Sequence, residues 1–414
     1  MIAEIIAVGS EMLTPFRQDT NSLYLTGELN SLGVQVAFKT VVGDSLEHLT
    51  GAAKIALGRA DIIVFSGGLG PTEDDLTREA VSSALDLKLV RDEAIIASLR
   101  ARFEKRGLKI SDNNLRQADV IAGAESLLNA NGSAPAQWMD TVYGGHRKLV
   151  ALLPGPPKEQ QPIFREQCVP RLRAILPKRS IAKRMLRIAL APESQIDARV
   201  SPIYKTYPDV ETTILFTLGE IQLHFLCAKP TIEEAQARVD ALTEQCEREL
   251  DDLVFSAQDE SLEMVVLLLL GMRHLTLATA ESCTGGLVAE RLTRVPGSSR
   301  SFLGGAVVYA DEMKTNFAGV PVQLIRKHGA VSDEVSRALA EGIRTRTGAD
   351  LGVGITGIAG PTGATMNKPV GRVYVALADG VTTTVKELDL PGDRERVRWF
   401  SAQHALDMLR RKLM

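Results

Sequence analysis

The sequence predicts an α/β protein, with two three-layer α/β domains joined by a small α+β domain. Three observations lead to this class. Apolar runs of strand length alternate with stretches of helical period over about residues 1–170 and again from about 257 to the end. Glycine-rich loops stand at the carboxyl ends of such runs, where open α/β sheets bind ligands. The intervening segment changes character, with alternating strands set around two helices. A chain of 414 residues also exceeds what one hydrophobic core organises. The expected domains are therefore 1–176, 177–256 and 257–414.

In the first domain, Met1-Ile2-Ala3-Glu4-Ile5-Ile6-Ala7-Val8-Gly9 lacks the basic flank and cleavage site of a signal peptide and reads as a buried strand over Glu4–Val8. Helix Asn21–Leu32, strand Val34–Val42, helix Leu46–Arg59, strand Asp61–Phe65 and helix Glu73–Leu85 follow. Strand Lys148–Leu153 then runs into the rigid turn Pro154-Gly155-Pro156-Pro157 before helix Glu159–Gln167. This order predicts a mainly parallel sheet with helices on both faces.

The middle segment opens on the basic stretch Pro177–Arg184. Strands Met185–Ala191 and Gly219–Ala228 and helices Ser194–Tyr204 and Thr231–Leu250 follow. The third domain reads as helix Ser261–Met272, strand Thr276–Ala280, helix Thr284–Arg294, strand Gly304–Tyr309, helix Ser332–Thr347, strands Leu351–Thr356 and Arg372–Ala378, and helix Arg394–Leu409.

Composition narrows the partners. Lysine plus arginine total 48 against 51 acidic residues, so a net charge of −3 sets up no global field for nucleic acid, and no direct nucleic-acid contact is expected. The longest apolar stretch, Met264–Leu270, is far short of the roughly 20 residues that cross a bilayer. Cys168, Cys227, Cys246 and Cys283 are scattered, as are the six histidines, which predicts neither a disulfide framework nor a histidine-built metal centre. A cytoplasmic protein without a membrane partner is the expectation, and any metal must be held by oxygen.

The first candidate site is Gly67-Gly68-Leu69-Gly70-Pro71-Thr72-Glu73-Asp74-Asp75-Leu76-Thr77, directly after strand Asp61–Phe65. Backbone N–H groups of Gly67, Gly68, Gly70 and Thr72 offer a phosphate cradle. Asp74 and Asp75 are placed to hold a divalent cation against that phosphate, and Glu11 and Asp44, each just past a strand end, converge on the same crevice. The plainer alternative puts Glu73, Asp74 and Asp75 in the first turn of a helix as partners of its dipole, with Glu11 and Asp44 as caps or solvated acids. Lys158 either balances phosphate charge or is a solvated lysine.

The run GGLGPTEDDLT, with Asp19–Asn21 (DTN), Val42–Asp44 (VGD) and Leu153–Glu159 (LPGPPKE), resembles the molybdopterin-binding-like domain of the CinA family over about residues 1–170. The resemblance implies hydrolysis of ADP-ribose to AMP and ribose 5-phosphate with a divalent metal (Mg²⁺, Mn²⁺ or Co²⁺), although relatives with the same fold handle molybdopterin.

The second candidate site is Glu281-Ser282-Cys283-Thr284-Gly285-Gly286, at a strand-to-helix turn. Such a turn exposes a nucleophile beside N–H donors, and an N-cap serine would look the same. With no histidine in these motifs, Lys314 is the candidate base for Ser282, and Tyr309 is placed to relay its proton or orient it. Cys283 reads as a buried structural thiol. Gly354-Ile355-Thr356-Gly357-Ile358-Ala359-Gly360-Pro361 supplies a further loop after a strand.

These motifs, together with Gly329–Ser332 (GAVS) and Lys368–Gly371 (KPVG), resemble the C-terminal domain of the CinA family over about 260–410. That family includes nicotinamide mononucleotide (NMN) deamidases. The resemblance implies attack on the carboxamide by Ser282, with Lys314 as base and then acid and Tyr309 assisting. It also implies main-chain donors from Thr284, Gly285, Gly286, Thr356, Gly357, Ala359 and Gly360, and no cofactor; Arg398 either contacts substrate or is a surface helix arginine. The two halves together imply a homodimeric, bifunctional enzyme of pyridine-nucleotide salvage. The alternative is a pterin- or nucleotide-binding partner in competence or recombination, with one or both sites inactive.

Overall fold

Strand β1 (Ile2–Val8) is apolar on both faces except at Glu4, the pattern of a strand covered on two sides, and it lies inside a six-stranded sheet. With β2 (Gln35–Val42), β3 (Ile62–Ser66), β4 (Leu89–Arg91), β5 (Asp119–Ile121), β6 (Glu125–Leu127), β7 (Ala136–Tyr143) and β8 (His146–Leu153), the sheet order is β2-β1-β3-β8-β7-β6, and β4 and β5 form a separate pair. The four strands β2, β1, β3 and β8 run parallel, whereas β7 and β6 are antiparallel additions. Helices α1 (Asn21–Ser31), α2 (Leu46–Arg59), α3 (Thr77–Leu85), α4 (Glu93–Glu104), α5 (Asp112–Leu115), α6 (Pro157–Ile163) and α7 (Val169–Ile175) complete this part. Two apolar clusters bury the two faces of the sheet, one around Ile6, Ile63 and Phe65 and the other around Ile5, Leu25 and Phe164.

This computed structural model describes every residue except Arg106, Leu108, Lys178 and Asn367, so Lys178 of the basic stretch lies outside the described residues. The chain divides into two units, Met1–Ile181 with Lys229–Thr231, and Ala182–Ala228 with Ile232–Met414. The second unit holds two sheets. The first contains β9 (Ser180–Ala189), β10 (Val210–Thr217), β11 (Glu220–Lys229) and β12 (Val254–Ser256), in the order β10-β11-β9-β12, with helices α8 (Glu193–Tyr204) and α9 (Ile232–Leu250). Helix α9 buries Ala235, Val239, Leu242, Cys246 and Leu250 in the cluster under this sheet.

The last sheet contains β13 (Leu277–Glu281), β14 (Phe302–Val307), β15 (Leu351–Gly357), β16 (Arg372–Ala378) and β17 (Thr383–Asp389) in the order β14-β13-β15-β16-β17. Strand β13 is parallel to both neighbours, and β16 and β17 are antiparallel. Around it lie α10 (Leu262–Met272), α11 (Leu287–Thr293), α12 (Asp311–Ala318), α13 (Val322–His328), α14 (Asp333–Thr347) and α15 (Arg394–Leu413). The protein is thus α/β, with two α/β layered sheets and one smaller sheet. Among the described residues, no helix is long and apolar enough to cross a membrane.

Helix α14 packs directly on the backbone of β15. A Cβ at Gly354 would lie 2.4 Å from the Ser336 carbonyl oxygen and 2.5 Å from the Ala340 nitrogen. Backbone atoms of a packed helix cannot yield as a flexible side chain can, so Gly354→Val is expected to destabilise the protein by about 3 kcal/mol. A fall in the urea midpoint of the second unit's transition would register it, and an unchanged midpoint would refute the packing argument.

Candidate active sites

Because β1, β2, β3 and β8 are parallel, their carboxyl ends open on one edge, and the loops leaving them wall a cavity of about 400 Å³. Glu11, Asp44, Gly67, Gly68, Gly70, Asp74 and Asp75 all line it. The glycine loop is anchored from behind. Thr77 donates its hydroxyl to the Gly67 carbonyl at 2.8 Å, and the fully buried Arg78 donates to the carbonyls of Leu69 (2.9 Å) and Gly70 (3.0 Å). Burial pushes the Arg78 guanidinium below its usual pKa, and Glu79 and Asp75 oppose that shift. Gly67 adopts φ of 109°, and a Cβ there would stand 2.5 Å from the Val8 carbonyl oxygen.

Three expectations for this site are corrected. Glu73, Asp74 and Asp75 are not in the first turn of a helix, because α3 begins only at Thr77. Thr77 is tied back to Gly67 and Gly68, and Asp75 closes a turn onto Thr72, so the acids sit in the loop ahead of the helix. Thr72 does not line the cavity, since its N–H (2.9 Å) and its hydroxyl both bond Asp75 Oδ2. Lys158 is exposed and outside the cavity, and Glu159 takes the position facing it. Glu159 was missed by sequence reasoning. It is held by Asn129 Nδ2 at 2.7 Å, and its only signal was its place directly after the proline turn.

Among the described residues, the cavity lining thus carries five carboxylates, Glu11, Asp44, Asp74, Asp75 and Glu159, and no lysine or arginine. They share a cleft without closing a cage: among the described residues no three acids, histidines or cysteines converge on one metal position. Asp44 instead accepts from Ser10 N at 2.7 Å, and Asp75 is engaged by Thr72. Hydrogen bonds, that of Thr72 first, hold the Asp74 carboxyl below its ordinary pKa. Such a donor set fits a hard cation shared with a bound anion and does not fit a metal held by protein alone.

The second site lies where β13 ends. Glu281 is 1% exposed, and its carboxylate accepts from Val288 N (3.0 Å) and Ala289 N (2.8 Å), capping the start of α11. Ser282 follows, with its N–H bonded to the Ile355 carbonyl on neighbouring β15 at 2.9 Å. Ser282, Tyr309, Lys314, Thr356, Gly357 and Ala359 line one cavity of about 180 Å³. Lys314 is 2% exposed, and its Nζ donates to the Tyr309 carbonyl and to Asp311 Oδ1, both at 3.1 Å. Cys283 is buried, and burial pushes its thiol up to about 12, so it carries no thiolate near neutrality.

Other expected residues stand behind this cavity. The Gly285 N–H is spent on the Ser282 carbonyl (3.1 Å), and neither Gly285 nor Gly286 lines the cavity. Thr284 does not line it either; its carbonyl accepts both Nε (3.2 Å) and Nη2 (2.8 Å) of Arg398. Arg398 therefore braces the serine turn and is not among the residues that line the cavity. Gly360 contributes a carbonyl acceptor at the rim.

Beside Lys314, Arg394 lines the cavity, donating to the Gly360 carbonyl at 2.9 Å and to the Tyr309 hydroxyl at 2.8 Å. Sequence reasoning did not single it out; its signal was its place at the start of α15, directly after the capping Asp393. The GAVS and KPVG motifs are joined here. Lys368 Nζ holds the carbonyls of His328 (2.9 Å) and Val331 (2.5 Å), and Thr356 Oγ1 holds that of Ala330 (2.7 Å), which fixes the loop forming one wall.

Fold and sites together define a class: a chain of two α/β domains, each with a cavity at its strand ends. Residues 4–174 match the family model described as probable molybdopterin binding domain, and residues 259–413 match that of the CinA C-terminal domain. The CinA-like protein of Acidobacterium capsulatum is 59% identical over 414 residues and that of Koribacter versatilis 57%, each alignment covering all of both chains. The crystal structure of the competence/damage inducible protein CihA from Agrobacterium tumefaciens is 35% identical, spanning 36% of this chain and 91% of that one with a TM-score of 0.35. The chain belongs to the CinA family.

Proposed function

We propose that this protein is a bifunctional hydrolase of NAD-derived nucleotides, deamidating NMN in the second unit and cleaving ADP-ribose in the first. The observation that carries the deamidase reading is the meeting of Ser282 with the buried Lys314 in one small cavity rimmed by Arg394. The carbonyl of Tyr309 and the carboxylate of Asp311 each take a hydrogen bond from Lys314 Nζ and fix the nitrogen at the cavity wall, where it is placed to exchange a proton with Ser282.

Ser282 Oγ then attacks the carboxamide carbon as its proton passes to Lys314 Nζ. Main-chain N–H groups at the end of β15 stabilise the oxyanion. Lys314 returns the proton to the departing nitrogen, which leaves as ammonia. Water attacks the resulting ester, giving up a proton to Lys314, and nicotinic acid mononucleotide leaves as Ser282 is restored. Arg394 is the side chain available at the rim for the substrate phosphate. Arg394→Lys is therefore expected to raise KM for NMN about tenfold with a smaller change in kcat, because lysine keeps the charge and loses the bidentate fork. Steady-state kinetics decide it, and an unchanged KM removes Arg394 from the phosphate site.

In the first unit, the support is the acidic lining beside a braced glycine loop. A pyrophosphate entering a cleft of five carboxylates needs a bridging cation, and Asp74 and Asp75 would hold it together with the substrate, with Glu11 and Asp44 opposite. When bound, a divalent cation neutralises phosphate charge and acidifies water for attack on phosphorus. The glycine loop orients the phosphates, and Arg78 keeps its carbonyls turned away from them.

The test is incubation of the full chain with NMN, and separately with ADP-ribose plus Mg²⁺, Mn²⁺ or Co²⁺. Ammonia with nicotinic acid mononucleotide, and AMP with ribose 5-phosphate, are the expected products. Folded protein inert toward both would replace this reading with ligand binding alone.

A further inference from the structure

The middle sheet looks like a connector, but its β10–β11 hairpin is bonded into the helix that serves the deamidase cavity. The turn is Leu218-Gly219, with Gly219 at φ of 78°. The Leu218 carbonyl is claimed by α15, and the Gly219 carbonyl is shared between α15 and the Leu190 N–H (3.2 Å). Trp399 Nε1 donates to the Leu218 carbonyl at 2.6 Å, and Gln403 Nε2 donates to that of Gly219 at 3.2 Å. A Cβ at Gly219 would lie 3.3 Å from Gln403 Cγ and 3.5 Å from the Phe400 ring, so the turn sits against the helix surface.

Trp399 and Gln403 are four residues apart and share one face of α15. Arg394 and Arg398 are also four apart, on an adjacent face. Arg394 donates to Gly360 and Tyr309 at the cavity, while Arg398 clamps the Thr284 carbonyl of the serine turn. Rotating or sliding α15 would move both arginines together, and the hairpin tip grips the face beside them.

Trp399 has a second contact. The guanidinium of Arg291, on the helix that follows the serine turn, lies 4.6 Å from the Trp399 ring centroid and pairs with Glu263 at 2.8 Å. Arg291 is 4% exposed, and its Nε and Nη1 have no hydrogen-bond partner among the described residues, which leaves the aromatic face as the attraction on that side. One tryptophan therefore ties the hairpin, α11 and α15 together.

We propose that the β10–β11 hairpin is a positioning element of the Ser282 cavity, setting the placement of Arg394 and Arg398 through Trp399 and Gln403. It rests on the deamidase reading of that cavity. Trp399 and Gln403 are positioning residues: they touch no reacting group, and they act on turnover through the helix that carries the arginines.

The test pairs kinetics with amide hydrogen exchange on the full-length chain. Trp399→Phe keeps a smaller aromatic ring for Arg291 while removing the Nε1 donor, and Gly219→Ala disturbs the same contact from the hairpin side. Both are expected to lower kcat for NMN about tenfold, as small misplacements of a binding group do. Exchange should rise selectively in residues 282–286 and 394–398, while ADP-ribose turnover stays at the wild-type rate. Wild-type kcat together with wild-type exchange at 282–286 in both variants would overturn the proposal. So would exchange raised evenly over the second unit with a lowered melting temperature, which is the signature of general loosening. Should Trp399→Phe fail to fold, Gly219→Ala and Gln403→Met decide. Wild-type protein inert toward NMN would sink the deamidase reading, and the exchange pattern would still decide whether the hairpin governs the turn.

Discussion

Ser282→Ala is expected to reduce ammonia release from NMN by about 10⁴-fold or more, the scale on which removal of a nucleophile acts in serine hydrolases. Folding should survive. The structural role of this residue is carried by its backbone, with the N–H on the Ile355 carbonyl and its own carbonyl on Gly285 N, and alanine keeps both. The stability change should stay within about 1 kcal/mol, the size of a single hydrogen-bonding group. Lys314→Met should lose about 10²–10⁴-fold, the usual worth of a general acid–base group. It should also cost stability, because the Tyr309 carbonyl and Asp311 lose their shared donor. The two losses should not add in the double variant, since nucleophile and base act as one unit. A Ser282→Ala protein that releases ammonia within about tenfold of the wild-type rate would end the serine mechanism.

Asp75→Asn should lower AMP production from ADP-ribose by about 100-fold or more, the loss expected when several kcal/mol of metal-borne charge stabilisation goes. Asparagine keeps the shape and an acceptor oxygen for Thr72 N, so the loop that Arg78 braces should persist. NMN deamidation should be unaffected, because Asp75 and Ser282 belong to different units. Removing divalent cations with a chelator should reproduce the loss in wild-type protein, and re-addition should restore it. AMP formation that resists both treatments would show that the acidic cleft works without a bridging cation.

Much of this was readable from the chain. Helix α2 ends where expected because Ser45 caps its start and its apolar residues repeat at helical spacing, both of which are local signals. Strand β10 escaped because its burial alternates only weakly and its second half is exposed, so no clean apolar period marks it. The start of α3 was placed too early because the acids after Pro71 look like a helix first turn, and only the return of Thr77 to Gly67 shows that they are not. Two binding cations were displaced. Lys158 points away where Glu159 faces the cleft, and Arg398 braces the turn where Arg394 lines the cavity. On a helix each residue is turned about 100° from the last, which separates Lys158 from Glu159, whereas Arg394 and Arg398 differ by about one turn, roughly 6 Å along the axis, which decides which of them reaches the cavity.

By itself, the sequence determined the fold class, the loops that end the strands, and the residue types available for chemistry: a serine, a lysine and a tyrosine at one site, and paired aspartates at the other. These are local properties, set by hydrophobic period, glycine conformation and the functional groups themselves. Only the tertiary structure decided which of those groups face a cavity, which are spent on backbone carbonyls, and that a hairpin remote in sequence grips the helix carrying Arg394. Those outcomes depend on pairings between residues far apart in the chain, such as Trp399 with Leu218 and Arg398 with Thr284, and no local pattern records a long-range contact.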